Sequence, residues 1–451
     1  MSTSTAPTTE LPGTAGLATL RELAELRRDQ LSWVVDRRAR WGDVFGLRPP
    51  GSALGPVFAF ACAPDPIREV LTNPTTFPKD SPVYDEMAGV LGDGLLTSEG
   101  DEWRAQRRTL QPLFTRRRVA AYGDAFVAAT SSVVDTWPET GVVDLDTQMQ
   151  TSGLRSVSVT LFGTDVTAQI APFIAASDAV SAAVVRRGTA PIRLPHWVPV
   201  KDNREIAHGT AELRRRFDEL IAARRDEDHG EDLLSLLLTV TDPETGEGLS
   251  HEEIRDQAGV MLLAGYDTTS TAMTFALHLL GHHPAWQDAV RDEVRSVLDG
   301  RPATTEDAPR LELTRRVVDE ALRLHPSAYI ASRSAGHDTE VGGFAIPEDG
   351  VVATSFHALH RHPDLWPDPD RFDPDRFLPD AVKGRDAYAY LPFGGGPRSC
   401  IGNHFALLEA TLGIATVVDR VRLESRTDHV PVTLGITQRP AAPVLAAIRP
   451  A

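Results

Sequence analysis

Apolar positions along this chain of 451 residues fall mostly at helical spacing. Intervals of three and four dominate residues 118–225, interrupted by a proline-containing segment at 191–199. The longest helix is predicted to start at Ser250-His251-Glu252-Glu253, which has the form of a capping box. Its apolar residues recur through Ile254, Ala258, Met261, Leu262, Ala272, Met273, Ala276 and Leu280, until Gly281 and Pro284 stop it. At 1.5 Å per residue it spans roughly 45 Å, enough to cross a domain. Further helices are predicted over 20–41, 66–71, 284–299 and 311–324, and one after Thr97 or Ser98 as cap. Residues 44–47 and 57–63, the stretch 327–357, and a last pair at 432–437 and 444–448 pattern as strands. Residues 72–98 resemble a long, partly apolar loop, and 361–380 a meander rich in proline and aspartate. Helices over most of the length with small strand clusters at both ends give an α+β, mainly α, class. With no repeat and no linker, residues 19–451 read as one domain behind a flexible tail, 1–18.

The net charge of −17 argues against nucleic acid as a partner. Only Cys62 and Cys400 are cysteines, which excludes a disulfide framework or an all-cysteine metal site and fits a reducing cytoplasm. Cys62 falls in a strand and reads as a small core residue. No stretch has the apolar length of a signal core or a bilayer span, so no membrane association is expected. Of 46 basic residues only Lys79, Lys201 and Lys383 are lysines, a bias that with abundant alanine fits a GC-rich bacterial genome.

Two stretches break local rules. Ala264-Gly265-Tyr266-Asp267-Thr268-Thr269 puts glycine and threonine in the middle of the longest helix. Either the helix is kinked against small residues, or these residues admit a large flat group and Thr268 back-bonds to a carbonyl. Phe393-Gly394-Gly395-Gly396-Pro397-Arg398-Ser399-Cys400-Ile401-Gly402 sets a cysteine at the end of a glycine-rich loop, ahead of an apolar helical run. Helix-end amides favour thiolate there, leaving Cys400 as metal ligand, nucleophile or bystander. A nucleophile needs a positioned base, and the nearest histidine, His404, lies one turn further on. Elsewhere, Trp103 and Arg107 share a helix face, and Glu320 and Arg323 sit three apart among apolar neighbours that suggest burial.

Phe393 to Gly402 reads F-x-x-G-x-R-x-C-x-G, and with it the chain resembles the cytochrome P-450 family of haem-thiolate monooxygenases, soluble bacterial type. The likeness covers nearly the whole chain, in order: Trp103/Arg107, Ala264 to Thr269, Glu320/Arg323, Pro374-Asp375-Arg376-Phe377, then the cysteine loop. It implies a P-450 fold with the long helix over haem b, and Cys400 as the axial ligand of the haem iron. Phe393, Gly394, Gly402 and Ala406 would pack against ligand and ring, with Ala264 and Gly265 leaving room on the opposite side. Trp103, Arg107, Arg333 and Arg398 would meet the two propionates. Glu320, Arg323 and Arg376 would form a buried structural triad. Asp267 and Thr268 resemble the acid–alcohol pair that delivers protons for dioxygen reduction, which weighs against a peroxide-driven variant or a haem sensor. Two departures are mild: aspartate at 375 for the usual glutamate, and Trp103 where many relatives have histidine.

The resemblance further implies O2 as oxidant and electrons from NAD(P)H through a separate ferredoxin and ferredoxin reductase, since no flavin domain follows. Arg104, Arg107, Arg108 and Arg116 to Arg118 would steer an acidic ferredoxin if they face outward. Substrate would lie under the 81–96 loop, the 171–203 region, the long helix, 327–332 and Gly435-Ile436. Val83, Tyr84, Met87, Val90, Met261, Ala328, Tyr329, Ile330 and Ile436 give that space an apolar lining. Arg186 and Arg187 either grip a substrate carboxylate or face solvent. The expectation is a cytoplasmic monomer that hydroxylates or epoxidises an apolar terpenoid or polyketide of secondary metabolism. Fatty-acid hydroxylation, and peroxygenase or coupling chemistry on the same fold, are the alternatives.

Overall fold

The computed structural model describes residues 9–50, 56–188, 190, 194–225 and 230–451. Residues 1–8 of the expected tail, and 189 and 191–193 of the region expected over the substrate, lie outside the described residues.

The helix His251–His282 runs through the interior for 32 residues. Ser250 Oγ accepts the Glu253 N–H at 3.2 Å while the Glu253 carboxylate accepts the Ser250 N–H at 2.8 Å, so the capping box forms as expected. Its N-terminal half buries Ile254, Ala258 and Leu262 in one core, and its C-terminal half buries Met273, Phe275, Leu277 and Leu280 in another. Around it pack the helices Leu145–Phe162, Glu312–Leu324 and Asn403–Arg420. Approach is close because side chains are missing where the helices cross. A Cβ on Gly153 would stand 2.2 Å from Ser270 Oγ, and one on Gly413 would stand 2.7 Å from Met273 Sδ. The helix stays unbroken through Ala264–Thr269. Thr268 donates to Ala264 O at 2.7 Å, Ser270 to Tyr266 O at 2.6 Å and Thr274 to Ser270 O at 2.9 Å. The hydroxyls are absorbed by back-bonding to the preceding turn rather than by a break.

Two sheets flank this helical body. One has five strands in the order Gly13–Ala15, Val44–Arg48, Phe58–Ala61, Val351–Ser355, Ile330–Ser334. Its last strand carries Arg333. The other joins Gly141–Asp144, Leu445–Pro450 and Val421–Ser425 in antiparallel register. A separate hairpin, Val432–Leu434 with Gln438–Pro440, reaches the central helix.

The triad forms as expected and is wholly buried at its centre. Glu320 takes Arg323 Nε at 2.6 Å and Nη2 at 2.8 Å, Arg376 Nε stands 3.5 Å away, and the Asp373 N–H donates to Glu320 at 2.9 Å. Arg323 also donates to His360 O and Pro369 O, tying the meander to helix Glu312–Leu324. These extra partners are what allow the pair to survive without water.

Several local expectations are corrected. The tail is shorter than 18 residues, because Leu11 is buried and Gly13–Ala15 joins a sheet. The helix expected over 20–41 is two, Ala18–Arg28 and Gln30–Trp41, broken at Asp29, whose carboxylate caps the second. The loop before the Trp103 helix contains a helix, Pro82–Leu91, with proline in its first turn where a missing N–H does no harm. Glu99, not Thr97 or Ser98, caps helix Gly100–Leu110; those hydroxyls donate to Gly92 O and Gln106 instead. The last two strands pair with Gln438–Pro440 and with Val421–Ser425, not with one another. Among the described residues no helix is long and apolar enough to cross a membrane.

Glu409, on helix Asn403–Arg420, is fully buried beside the Ser156 hydroxyl, and burial pushes its carboxyl up to about 8. The folded state therefore keeps a proton that the unfolded chain releases above the ordinary value of 4.5. Stability should fall as pH rises from about 4.5 to about 8 and level off beyond. Glu409→Gln should remove that slope, so thermal midpoints measured across pH would show the variant gaining on wild type between about pH 4.5 and about 8.

Candidate functional site

The cysteine loop is a chain of tight turns. Gly394 and Gly396 take φ of 68° and 67°, and a Cβ on Gly396 would stand 2.1 Å from Leu71 O. The Gly394, Ser399 and Cys400 N–H groups donate to Leu391, Gly396 and Phe393 carbonyls at 3.1, 3.2 and 2.9 Å. Gly402 follows as the cap of helix Asn403–Arg420, and its N–H points at the Cys400 sulfur. Burial nevertheless pushes the thiol up, ahead of the opposing pull of the Gly402 N–H and the Arg107 charge. The helix end alone does not ionise this cysteine; a cation bound at sulfur would. Among the described residues no cluster of three His, Cys, Asp or Glu could hold a metal ion, so Cys400 would be a lone protein ligand.

Cys400 opens into a cavity of about 1780 Å³. Every position expected to meet haem or take part in proton delivery lines it. Phe393, Gly394, Arg398, Gly402 and Ala406 accompany Cys400; Ala264, Gly265, Asp267 and Thr268 come from the central helix; Trp103, Arg107 and Arg333 stand at the edges. All nine expected apolar positions, Val83, Tyr84, Met87, Val90, Met261, Ala328, Tyr329, Ile330 and Ile436, contribute as well. The Tyr329 hydroxyl is satisfied by Gly435 O at 3.1 Å.

The edge of the cavity is cationic. Arg398 lies over the Trp103 ring at 4.1 Å, with Nη2 2.5 Å from Glu99 Oε1. Arg107 does not stack on Trp103 but donates to Ser399 O at 2.9 Å, bracing the cysteine loop. Arg333 is buried and donates to Ser332 O at 2.8 Å. Lys79 joins them, unnoticed in the sequence except as one of three lysines. Its ammonium donates to Leu96 O at 2.6 Å and lies over Tyr84, and burial first, then Arg333 and Arg398, drives its pKa well down. Lys79, Arg333 and Arg398 thus gather near the carboxylate of Glu99, and Arg398 Nη1 is buried with no hydrogen-bond partner among the described residues. Such an edge needs anions. A flat ring with two carboxylates and a thiolate-binding iron fits it, which is what haem presents.

On the opposite wall Asp267 is fastened to the hairpin. Arg439 Nη1 stands 3.1 Å from Oδ1, and the Thr437 hydroxyl donates to Oδ2. Sequence reasoning missed both partners, for no local spacing connects them to Asp267. The Thr268 carbonyl accepts from Ser327 at 2.9 Å.

Neither arginine of the 186–187 pair reaches the cavity as a free anchor. Arg187 is buried in a two-bond contact with Glu86 at 2.7 and 3.0 Å, and Arg186 pairs with Asp202 and Glu205. In the basic cluster, Arg104 pairs with Asp101 and Arg108 with Asp242 and Glu244. Arg116, Arg117 and Arg118 are exposed, and Arg116 contacts His404 at 3.3 Å, on the helix that follows the cysteine loop.

Comparison with known proteins bears on the same site. The family model described as Cytochrome P450 matches residues 15–442. The chain is 39% identical over 386 residues to a cyclooctat-9-en-7-ol 5-monooxygenase of Streptomyces melanosporofaciens, covering 85% of this chain and 83% of that one. It is 35% identical to a pentalenene oxygenase of Streptomyces avermitilis, covering 88% of each. Among solved structures, the crystal structure of a cytochrome P450DA heme domain superposes with a TM-score of 0.87 at 29% identity, covering 98% of both chains. The protein belongs to the cytochrome P450 family and is a monooxygenase that uses haem b, O2 and electrons from NAD(P)H delivered by redox partners.

Proposed function

We propose that this monooxygenase hydroxylates or epoxidises a terpenoid hydrocarbon skeleton in bacterial secondary metabolism. The observation that carries the reading is the cavity wall: above Cys400 it is built mainly from apolar side chains, and its cations cluster at the edge. Two relatives whose names denote oxygenation of cyclooctat-9-en-7-ol and pentalenene support the terpenoid class. A fatty acid is disfavoured because Arg187 and Arg186, the candidate carboxylate anchors, are already paired.

Bound haem supplies the dioxygen-reducing and oxygen-inserting chemistry. Cys400 would provide the thiolate that holds its iron, with Gly402 N–H and Arg107 favouring its charge. Arg398, Trp103, Arg333 and Arg107 meet the propionates, and Lys79 adds a further cation. Thr268 spends its own proton on Ala264 O, so its oxygen is left to accept a hydrogen bond and hold a water at the reacting centre. Asp267 supplies the proton. Met261, Val90 and Ala328 keep the substrate side dry. The described chain from the Gly13–Ala15 strand onward acts as one catalytic unit, a cytoplasmic monomer. A ferredoxin, served by its reductase, docks where Arg116, Arg117 and Arg118 face solvent beside the cysteine-loop helix.

Titrating the haem-loaded protein with cyclic terpene hydrocarbons and with fatty acids should give a spin-state shift with the terpenes; a response to fatty acids alone would reject the substrate class. Thr268→Ala should lower product formation by about 10²-fold while NADPH consumption continues, the electrons appearing as peroxide. Full coupling in that variant would remove Thr268 from proton delivery. Reversing charge at all three of Arg116, Arg117 and Arg118 should raise the KM for ferredoxin and flatten its salt dependence, with chemical reduction of the haem unchanged.

A further inference from the structure

Asp267 is not the last acid on its side of the cavity. Beyond Arg439, at the start of helix Leu145–Phe162, stands Asp146. The backbone fixes it there. Asp144 accepts the Asp146 N–H at 3.2 Å and the Val444 N–H at 2.9 Å, tying the helix start to the segment just after the Arg439 hairpin. Strand pairing of Asp144 with Leu445 holds the same register.

The two oxygens of Asp146 have different surroundings. Oδ2 accepts from Gln150 Nε2 at 2.7 Å. Oδ1 is buried and has no hydrogen-bond partner among the described residues, although the residue as a whole touches solvent. A half-exposed carboxyl with one buried oxygen lacking a partner among the described residues is placed to exchange protons between bulk water and the interior. Charges face it from three elements: Asp144 from its strand, Asp267 from the central helix and Arg439 from the hairpin. Burial, then Asp144, pushes its carboxyl up to about 7, with Asp267 adding to the rise and Arg439 opposing it. Arg439 is thus shared between the two acids, in contact with Asp267 and within electrostatic reach of Asp146.

We propose that Asp146 is the outer station of the proton path, taking protons from solvent and passing them through water to Asp267. The proposal rests on the reading that Asp267 and Thr268 deliver protons, and extends it outward by one residue. The step balances without any electron moving. The Asp146 O–H bond breaks, the proton goes to the Asp267 carboxylate, and Asp146 regains a proton from bulk water. Arg439 keeps both carboxylates oriented. A relay near neutrality is populated in both forms, the condition for fast transfer in each direction.

Asp146→Asn tests it, with Asp267→Asn beside it. By difference infrared spectroscopy in a Glu409→Gln background, which removes the other carboxyl raised to about 8, a carboxylic C=O band that titrates near pH 7 should vanish in Asp146→Asn and persist in Asp267→Asn. In the haem-loaded enzyme with its redox partners, coupled turnover should fall above about pH 7 in wild type. Asp146→Asn should be several-fold slower at neutrality, lose that pH dependence and show a larger solvent deuterium isotope effect, with Asp146→Glu restoring the profile. If the infrared band survives Asp146→Asn, or if that variant keeps the wild-type pH profile and isotope effect while Asp267→Asn loses product, the outer station is wrong and the Asp267–Thr268 reading stands. If Asp267→Asn also turns over as wild type, proton delivery through this wall fails and the present proposal with it.

Discussion

A thiolate at the floor of an apolar cavity is a charge the surrounding protein must stabilise, and much of the molecule answers to that requirement. Burial acts against ionisation of Cys400, and the loop's own contribution, one N–H from Gly402 and the charge of Arg107, does not overcome it. The sulfur is prepared for a cation rather than made reactive by itself. This is why the loop must be rigid. Gly396 lies against Leu71 O with no room for a side chain, Arg107 ties the Ser399 carbonyl, and the buried Glu320–Arg323 pair secures the meander leading into the loop. Each contact fixes a position, so the sulfur is held in place independently of any bound group.

The second constraint is charge balance at the cavity edge. Lys79, Arg333 and Arg398 converge near Glu99, and Arg398 leaves a buried Nη1 without a partner among the described residues. Without anions this arrangement is unfavourable, and burial first, then Arg333 and Arg398, depress the Lys79 pKa. With two propionates in place it closes. The protein is therefore expected to hold haem by charge at the edge, by sulfur below and by apolar contact across the ring, and to be less stable without it.

What the sequence disclosed and what it hid divide along sequence distance. Cys400 with its glycines, the Asp267–Thr268 pair and Glu320–Arg323 are each written within a few residues, so short motifs could carry the family resemblance that assigned them, and all the expected lining residues reach one cavity. Lys79, Glu99, Thr437, Arg439 and Asp146 escaped because their partners lie far along the chain; Thr437 meets Asp267 across 170 residues. Secondary structure failed where composition misleads. The helix Pro82–Leu91 looked like a loop because of its proline, glycine and aspartate, yet Pro82 sits in the first turn and the helix packs on Thr167–Gly188, where a Cβ on Gly188 would meet Val83 at 2.6 Å. The cap at Glu99 was misassigned because Thr97 and Ser98 have better intrinsic cap chemistry, and tertiary contacts took their hydroxyls first.

The distal wall reconciles two opposed demands. An apolar substrate favours a dry cavity, while reduction of dioxygen consumes protons that an apolar wall cannot carry. The central helix resolves this by segregation along its own face. Ala264 and Gly265 are small and give space, whereas Asp267 leans to the hairpin and is held there by Arg439 and Thr437. Protons can then enter between the hairpin and the start of helix Leu145–Phe162, away from Met261, Val90 and Ala328. Because that entry is built from a guanidinium shared by acids on separate elements, its geometry depends on how the hairpin and the three-stranded sheet are joined through Asp144 and Val444. On the proposed proton path, tertiary structure far from the sulfur would decide whether electrons spent on dioxygen end in product.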